Sequence, residues 1–223
     1  MSSLNQLISE IAHSVQQADS VPVRRAIRQG IIHARNELIR HVYSNHNYVD
    51  KVLKQRFKLT LIDVPEGDID GTKGLGLTAI KRTLSKVPRP VRLANNLPFH
   101  SVRTSGNINP IAFPFIGESV SKFYKYMPGM NNLPNYDYIN DYIYIYNLGE
   151  NIESIIVESV FEYPHEIKIS TSDKPESEIV ISDDDEFFLP EDLVNSVKKL
   201  VIENFSNTTI RDTNEIPTQN LVK

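Results

Sequence analysis

The sequence predicts an α+β fold: an N-terminal helical region, a central and mainly antiparallel β-sheet body with a Tyr-rich hairpin, and a C-terminal helix with an extended tail. Apolar residues recur with the roughly 3.6-residue period of a helix near both ends of the chain, and they alternate with polar residues through its middle. Tyrosines between residues 136 and 147 alternate with other residues around Asn140-Asp141, and Asn and Asp tolerate the left-handed backbone of tight hairpin turns.

Residues 1–57 are predicted to form the helical region. The first helix is expected at Leu4–Val15, where apolar side chains follow the i, i+3, i+4, i+7 rule. Ser20 can cap a second helix that runs to about Tyr43. A third helix is expected to begin at Asn45, and its inner side should consist of three residues, Tyr48, Val52 and Leu53.

Residues 58–189 are predicted to form the β-rich body. Its first strand begins around Phe57, where apolar and polar residues start to alternate, and an exposed Gly- and Asp-rich loop follows at residues 65–76. Further strands are expected at residues 78–84, 99–104, 110–113 and 152–161, with edge strands at 167–170 and 179–181, and a short helix is expected at 119–126.

Residues 190–205 are predicted to form the C-terminal helix. Pro190, Glu191 and Asp192 lie in its first turn, where proline is tolerated and acidic side chains interact favourably with the helix dipole. The preceding acidic run, residues 183–186, is interpreted as a solvated loop rather than a cation site. Residues 206–223 are polar, so they are expected to form an extended tail.

The sequence contains no motif typical of catalysis or cofactor binding. There is no cysteine, which excludes disulfides and thiolate metal sites. The Gly-rich stretch at residues 71–76 lacks the Gly-Lys-Ser/Thr of a P-loop, and Lys73 and Ala79 stand where an EF-hand requires Gly and Glu. No apolar run reaches the roughly 18 residues of a membrane span. We therefore predict a non-enzymatic protein with no catalytic residue, metal or cofactor, and no contact with a membrane.

The charge is distributed unevenly along the chain. Residues 1–62 carry a net charge of +5, residues 63–150 carry +1, and residues 151–223 carry −10. This asymmetry favours head-to-tail contacts between copies, or a basic arm facing nucleic acid or an acidic partner, although two solvated faces are the simpler alternative. The candidate interface residues are three arginines in one sector of the second helix and three hairpin tyrosines: Arg24, Arg28, Arg35, Tyr138, Tyr142 and Tyr144.

The hairpin tyrosines admit three interpretations. Alternation is expected to place Tyr136, Tyr138, Tyr142, Tyr144 and Tyr146 mostly on one face of a two-stranded ribbon. Such a face suits a protein interface, the stacking of single-stranded bases, or cross-strand packing within the domain. Base stacking would favour interleaved basic residues, whereas the ribbon carries two aspartates, at positions 137 and 141.

Five segments in a fixed order carry a family resemblance. They are residues 81–83 (KRT), 87–93 (VPRPVRL), 142–147 (YIYIYN), 160–164 (VFEYP) and 185–193 (DEFFLPEDL). Their order and spacing resemble those of head-to-tail adaptor, or neck ring, proteins of short-tailed bacteriophages, especially crAss-like phages. The resemblance covers rather more than half of the chain, from about Ala79 to Phe205.

The resemblance implies a structural virion protein that is assembled in the host bacterial cytoplasm. Such adaptors form a ring, commonly twelvefold, beneath the portal protein, and they contact other neck or tail proteins and surround the channel for DNA without reading its sequence. Two alternatives remain from the residues themselves. One is a nucleic-acid-binding module that uses the basic helical arm and the tyrosine hairpin, and the other is a hydrolase whose site is not visible in the sequence.

Overall fold

The computed structural model describes most of the chain and divides it into two compact units. The first unit combines Met1–Leu53 with Ser182–Lys223, and the second comprises Lys54–Ile181. The described residues are 2–17, 19–46, 48–64, 68, 80–106, 110–116, 120, 126–129, 133–148, 152–170, 178–180 and 182–213. They contain helices near both ends of the chain and a curled, antiparallel six-stranded sheet, so the predicted α+β class is confirmed.

Three α-helices make up the described core of the first unit: α1 (Leu4–Ser14), α2 (Val21–His46) and α3 (Glu191–Thr213). Ser3 caps α1, because its Oγ accepts a hydrogen bond of 3.1 Å from the backbone N–H of Gln6. The C-terminal helix, which the sequence suggested as a separate region, thus shares a core with the N-terminal helices. The buried apolar side chains of this core include Leu4, Leu7, Ile11, Ile27, Ile31, Phe187, Leu189, Val197 and Val201.

The ends of two helices differ from the predictions. The expected third helix at Asn45 is wrong: α2 continues to His46, and one turn of 3₁₀ helix follows at Lys51–Leu53. Asn45 does not cap a new helix, because its side-chain amide lies 2.9 Å from Nδ1 of His41, one turn earlier in α2. Helix α3 continues to Thr213, beyond the predicted end at residue 205, since residues 206–213 contain neither Gly nor Pro to end it. The extended tail predicted at 206–223 is therefore wrong for residues 206–213, and its remainder lies outside the described residues.

The side chains near the 3₁₀ turn also depart from the expected pattern. Leu53 is buried as expected, but the side chains of Tyr48 and Val52 are exposed, and Tyr48 is 60% accessible. A single helical turn has too few residues to bury a continuous stripe, so one apolar residue alone reaches the core.

The second unit contains a six-stranded sheet in the order β3-β6-β1-β2-β5-β4, in which every neighbouring pair is antiparallel. Exposure alternates residue by residue along most of β1, as predicted for a strand with one buried face. Two further strands pair with each other in a separate small sheet. The strands are β1 (Gln55–Asp63), β2 (Ile80–Thr83), β3 (Ser101–Thr104), β4 (Asn135–Ile139), β5 (Tyr142–Tyr146), β6 (Ser154–Ser159), β7 (Lys168–Ser170) and β8 (Glu178–Val180).

Residues 111–116, here called the closing segment, bond to both edges of the six-stranded sheet. Ala112 bridges Arg103 of the edge strand β3, and Phe115 bridges Tyr136 of the opposite edge strand β4. The strand expected at 110–113 is therefore limited to isolated bridges, because Pro110 and Pro114 cannot donate to a regular ladder. The segment protects two edges that would otherwise be open to pairing with other chains.

The tyrosine hairpin forms as predicted, but its register divides the tyrosines between two faces. Asn140 and Asp141 have positive φ angles of 53° and 66°, as a two-residue hairpin turn requires. Tyr136 lies opposite Ile145 and Tyr138 lies opposite Ile143, so these two tyrosines share the core face. Tyr142, Tyr144 and Tyr146 point to the other side, so the predicted majority face holds three of the five tyrosines, while the other two lie in the core.

Two sequence predictions lie largely outside the described residues. The structure describes Asp68 alone from the predicted loop at 65–76, and residues 120 and 126 alone from the short helix predicted at 119–126. Both stay predictions.

Candidate interaction surfaces

Arg35, one of the predicted interface residues, lies in the interior of the first unit and is completely buried. Its Nε donates a 2.9 Å hydrogen bond to the carbonyl oxygen of Phe188, and its Nη1 donates one of 2.9 Å to Oδ1 of Asn36. Burial lowers the pKa of Arg35 to about 9, so the guanidinium remains charged at neutral pH. Arg35 therefore stabilises the unit and contributes no surface of its own.

The other two arginines of this sector contact groups of the same unit. Arg28 Nη2 lies 2.9 Å from Oδ1 of Asp183 in an ion pair, and Arg24 Nη2 donates a 3.1 Å hydrogen bond to Oγ of Ser9. The side chain of Arg28 is still 41% exposed. The predicted attraction between the basic front and the acidic back of the chain thus occurs within one copy at this position.

The outer face of the tyrosine hairpin carries a polar network. Arg82 Nη1 forms an ion pair of 2.5 Å with Oδ2 of Asp68, and Tyr144 donates a 3.0 Å hydrogen bond from its hydroxyl to the same oxygen. Burial and the neighbouring Asp68 raise the pKa of Tyr144. The Arg82 guanidinium also lies 4.6 Å from the ring centroid of Tyr142, which is half-buried. The side chain of Tyr144 is buried, whereas the ring of Tyr142 remains partly accessible to solvent.

Tyr138, the third predicted interface tyrosine, is bonded to the hairpin turn. Its hydroxyl donates to Oδ1 of Asp141 at 3.2 Å, and Arg89 Nε donates to the same oxygen at 3.2 Å. The hydrogen bond from Arg89 lowers the pKa of Asp141, whereas burial raises that of Tyr138. Beside this network is an open pocket of about 350 Å³, lined by Lys86, Val87, Pro88, Arg89, Asp141 and Tyr163.

A second charged surface on the sheet was not predicted from the sequence. Register places Lys58 of β1, Ile156 of β6 and Arg103 of β3 in one row on the outer side of the sheet. Lys58 and Arg103 are far apart in the sequence, and the strand between them comes later in the chain, so sequence patterns give no signal for this row. Strand alternation alone indicates that each of them points away from the core.

The described residues contain no arrangement suited to metal binding or to membrane insertion. No group of three or more His, Asp or Glu side chains is placed to hold a metal ion in this part of the chain. No helix within the described ranges is long and apolar enough to cross a bilayer. Arg28, Arg35 and Arg82 instead form ion pairs or hydrogen bonds with other elements of the fold.

An α+β fold of this kind is compatible with many functions, so the fold alone does not define the class of protein. The family model described as phage tail ring protein 2 matches residues 6–220. The chain therefore belongs to this family of structural tail ring proteins of crAss-like phages. No curated protein matches the chain. The predicted phage ring resemblance is confirmed at the level of the family, which makes the protein a self-associating component of the virion tail.

Proposed function

We propose that this protein forms a ring in the phage neck that connects the portal protein to the tail and surrounds the DNA channel. The family match, which spans nearly the whole chain, carries the proposal. The copies associate with each other, commonly in a twelvefold ring, and with the portal and other neck or tail proteins. DNA passes without sequence-specific binding, and the protein has no enzymatic activity.

The positions of the arginines support a structural role over the nucleic-acid-binding alternative. A basic arm that binds phosphates needs free cationic groups, because affinity grows with the number of phosphates that are neutralised. Arg35 is buried and Arg28 is paired with Asp183, so this helical sector offers less free positive charge than its sequence suggests. It is better suited to holding the helices together than to binding DNA.

The positions of the tyrosines support the same choice. A platform for single-stranded nucleic acid needs several exposed aromatic faces in a row. Tyr136, Tyr144 and Tyr146 are buried, and Tyr138 is half-buried with its hydroxyl bonded to Asp141. The hairpin therefore stabilises the ring body, and Tyr142 is its accessible ring for contact with a neighbouring protein.

Electron microscopy of phage particles made without this protein tests the proposal. If the ring connects portal to tail, host cells infected with a phage that lacks the gene should yield DNA-filled heads without attached tails. Supplying the protein from a plasmid should restore tailed particles. Normal tails on filled heads in the absence of the protein would rule out the connecting role.

A further inference from the structure

The outer side of strands β1, β6 and β3 forms a basic face, defined here by Lys54, Arg56, Lys58 and Arg103. The inner side of the same strands contributes Phe57, Leu59 and Val157 to the apolar core. Because side chains alternate along a strand, the residues between these core positions must point outward. The register then sets Arg56 beside Glu158 and Ser101, and Lys58 beside Ile156 and Arg103, in two adjacent rows.

The basic face carries more positive charge than its one acidic neighbour can balance. Arg56 Nη2 lies 2.5 Å from Oε2 of Glu158 in an ion pair. Burial opposes ionisation of Glu158, yet the hydrogen bond from Arg56 and the nearby His100 and Lys54 lower its pKa overall. Glu158 is therefore ionised and is already neutralised by Arg56.

Because Arg56 occupies Glu158, Lys58 and Arg103 have no carboxylate partner among the described residues of the face. Within the described ranges, neither of them has a carboxylate at ion-pair distance, and Lys58 is exposed while Arg103 is half-buried. Lys54 Nζ lies 2.9 Å from Nε2 of His100 at the end of the face, which adds a further basic group. A surface of this kind attracts an acidic partner.

The first unit contains an acidic segment, residues 183–192, whose negative charge is complementary to the positive charge of the basic face. Asp184, Asp185, Glu186, Glu191 and Asp192 are all exposed there, next to the start of α3. The segment is held in place, because Glu186 bridges Ser3, and Asn5 donates to Asp184 at 2.7 Å. Phe187 is buried directly behind it. The backbone of the segment and the carboxylate of Asp184 are thus positioned before binding, which lowers the entropy cost of an interface.

We propose that the basic face of one copy binds the acidic segment of the next copy in the ring. The inference rests on the proposed ring function, because a face that binds a different surface of an identical neighbour makes a heterologous contact, and such contacts generate a ring when the rotation between neighbours closes. Charge complementarity selects the occupant. Duplex DNA fits less well, since the carboxylate of Glu158 lies in the middle of the face and would repel phosphates.

Complementary charge reversal tests this contact. The first variant, Lys58→Glu with Arg103→Glu, reverses the basic face. The second, Glu186→Lys with Asp192→Lys, reverses the acidic segment. A control, Lys86→Glu with Arg92→Glu, applies the same charge change at exposed positions of the second unit that belong to neither row. Circular dichroism and thermal unfolding establish that each variant is folded.

Native mass spectrometry and sedimentation velocity then measure the assembled fraction, with the purified portal protein present. Each reversal is expected to reduce assembly by roughly tenfold or more, because like charges then face each other, whereas the control should assemble as the unaltered protein does. A mixture of the two reversal variants should assemble again as an alternating ring, because each contact between the two different variants joins opposite charges. For the unaltered protein, assembly should weaken as salt rises from about 0.15 M to about 1 M.

Three outcomes would overturn the inference, and they differ in what else they affect. If the Lys58→Glu, Arg103→Glu variant forms rings as readily as the unaltered protein, the basic face is not an interface, although the ring function stands. If this variant instead loses a salt-sensitive affinity for random duplex DNA that the unaltered protein has, the face binds nucleic acid. If the unaltered protein forms no ring under any of these conditions, the proposed function fails as well.

Discussion

Arg35 of α2 donates its Nε hydrogen to the carbonyl oxygen of Phe188, 2.9 Å away, and thereby joins the middle of a helix to the segment that precedes α3. The guanidinium also lies 5.9 Å from the ring centroid of Phe187. A completely buried cation is costly unless several groups compensate for its lost hydration. The carbonyl, the Asn36 side chain and the aromatic ring supply that compensation.

Replacing Arg35 by lysine is expected to lower the free energy of unfolding by about 2–4 kcal/mol. Lysine keeps the buried charge but carries its N–H groups on one nitrogen, so it cannot reproduce the bonds that Nε and Nη1 make to Phe188 and Asn36. Arg35→Met, which removes the charge and keeps much of the volume, should cost less than Arg35→Lys. Urea denaturation followed by circular dichroism measures both values, and a smaller loss for the lysine variant would contradict the described role of the guanidinium.

Gly30 of α2 faces Val201 and Phe205 of α3, and the space between them holds one methyl group. A Cβ atom built on this glycine would lie 3.4 Å from Cγ1 of Val201, which is ordinary van der Waals contact. Gly30→Ala is therefore expected to stabilise the protein by about 0.5–1 kcal/mol, because alanine favours the helix and still fits. Gly30→Leu should instead destabilise it through a clash with Val201 and Phe205. Thermal unfolding of both variants checks the opposite signs.

Tyr144 and Tyr142 are neighbours on one face of the hairpin with different contacts. Tyr144→Phe removes the hydroxyl that bonds Asp68 and should cost about 1 kcal/mol of stability. Tyr142→Phe is the matched control, because it keeps the ring beneath the Arg82 guanidinium, and it should be close to neutral. Equal effects of the two substitutions on urea denaturation would argue against the hydroxyl bond.

The hairpin turn is expected to make stability depend on pH. The Arg89 hydrogen bond lowers the pKa of Asp141 in the folded state, so the unfolded chain takes up this proton first as the pH falls. The resulting stabilisation is fully present above the unfolded pKa, about 3.9, and is lost as the pH falls through the lower folded pKa.

Asp141→Asn separates this effect from turn geometry, because asparagine also tolerates the positive φ of 66° at this position. The variant should be less stable than the unaltered protein at pH 7. The difference should shrink as the pH is lowered below about 4. Urea denaturation at several pH values measures it, and a difference that stays constant with pH would exclude the ion pair as its cause.

Periodicity in the sequence was sufficient to predict the elements whose burial is set locally. The alternation around Phe57 gives β1, and the Asn140-Asp141 dipeptide gives the hairpin turn, because both depend on backbone geometry within a few residues. Asn45 shows the limit of such local rules. A residue suited to capping a helix can equally bond one turn back within the helix that contains it.

The candidate surfaces depend on contacts between residues that are distant in the sequence, and most of these contacts could not be predicted from local sequence patterns. Helical spacing put Arg35 beside the apolar stripe of α2, but its burial depends on Phe187 and Phe188, far along the chain. Lys58 and Arg103 lie in one row on either side of β6 because of the strand order, which residue alternation does not specify. The resemblance to a phage ring family came from the order of several segments and required no knowledge of these contacts.

The most direct test of the central claim is a cryo-electron microscopy reconstruction of the portal and tail region of the intact virion. The account predicts a closed ring of this protein between portal and tail, around the DNA channel. In that ring, Lys58 and Arg103 of one copy face the acidic segment, residues 183–192, of the next. Density for the protein that lies away from the channel, or as isolated copies without a ring, would contradict the account.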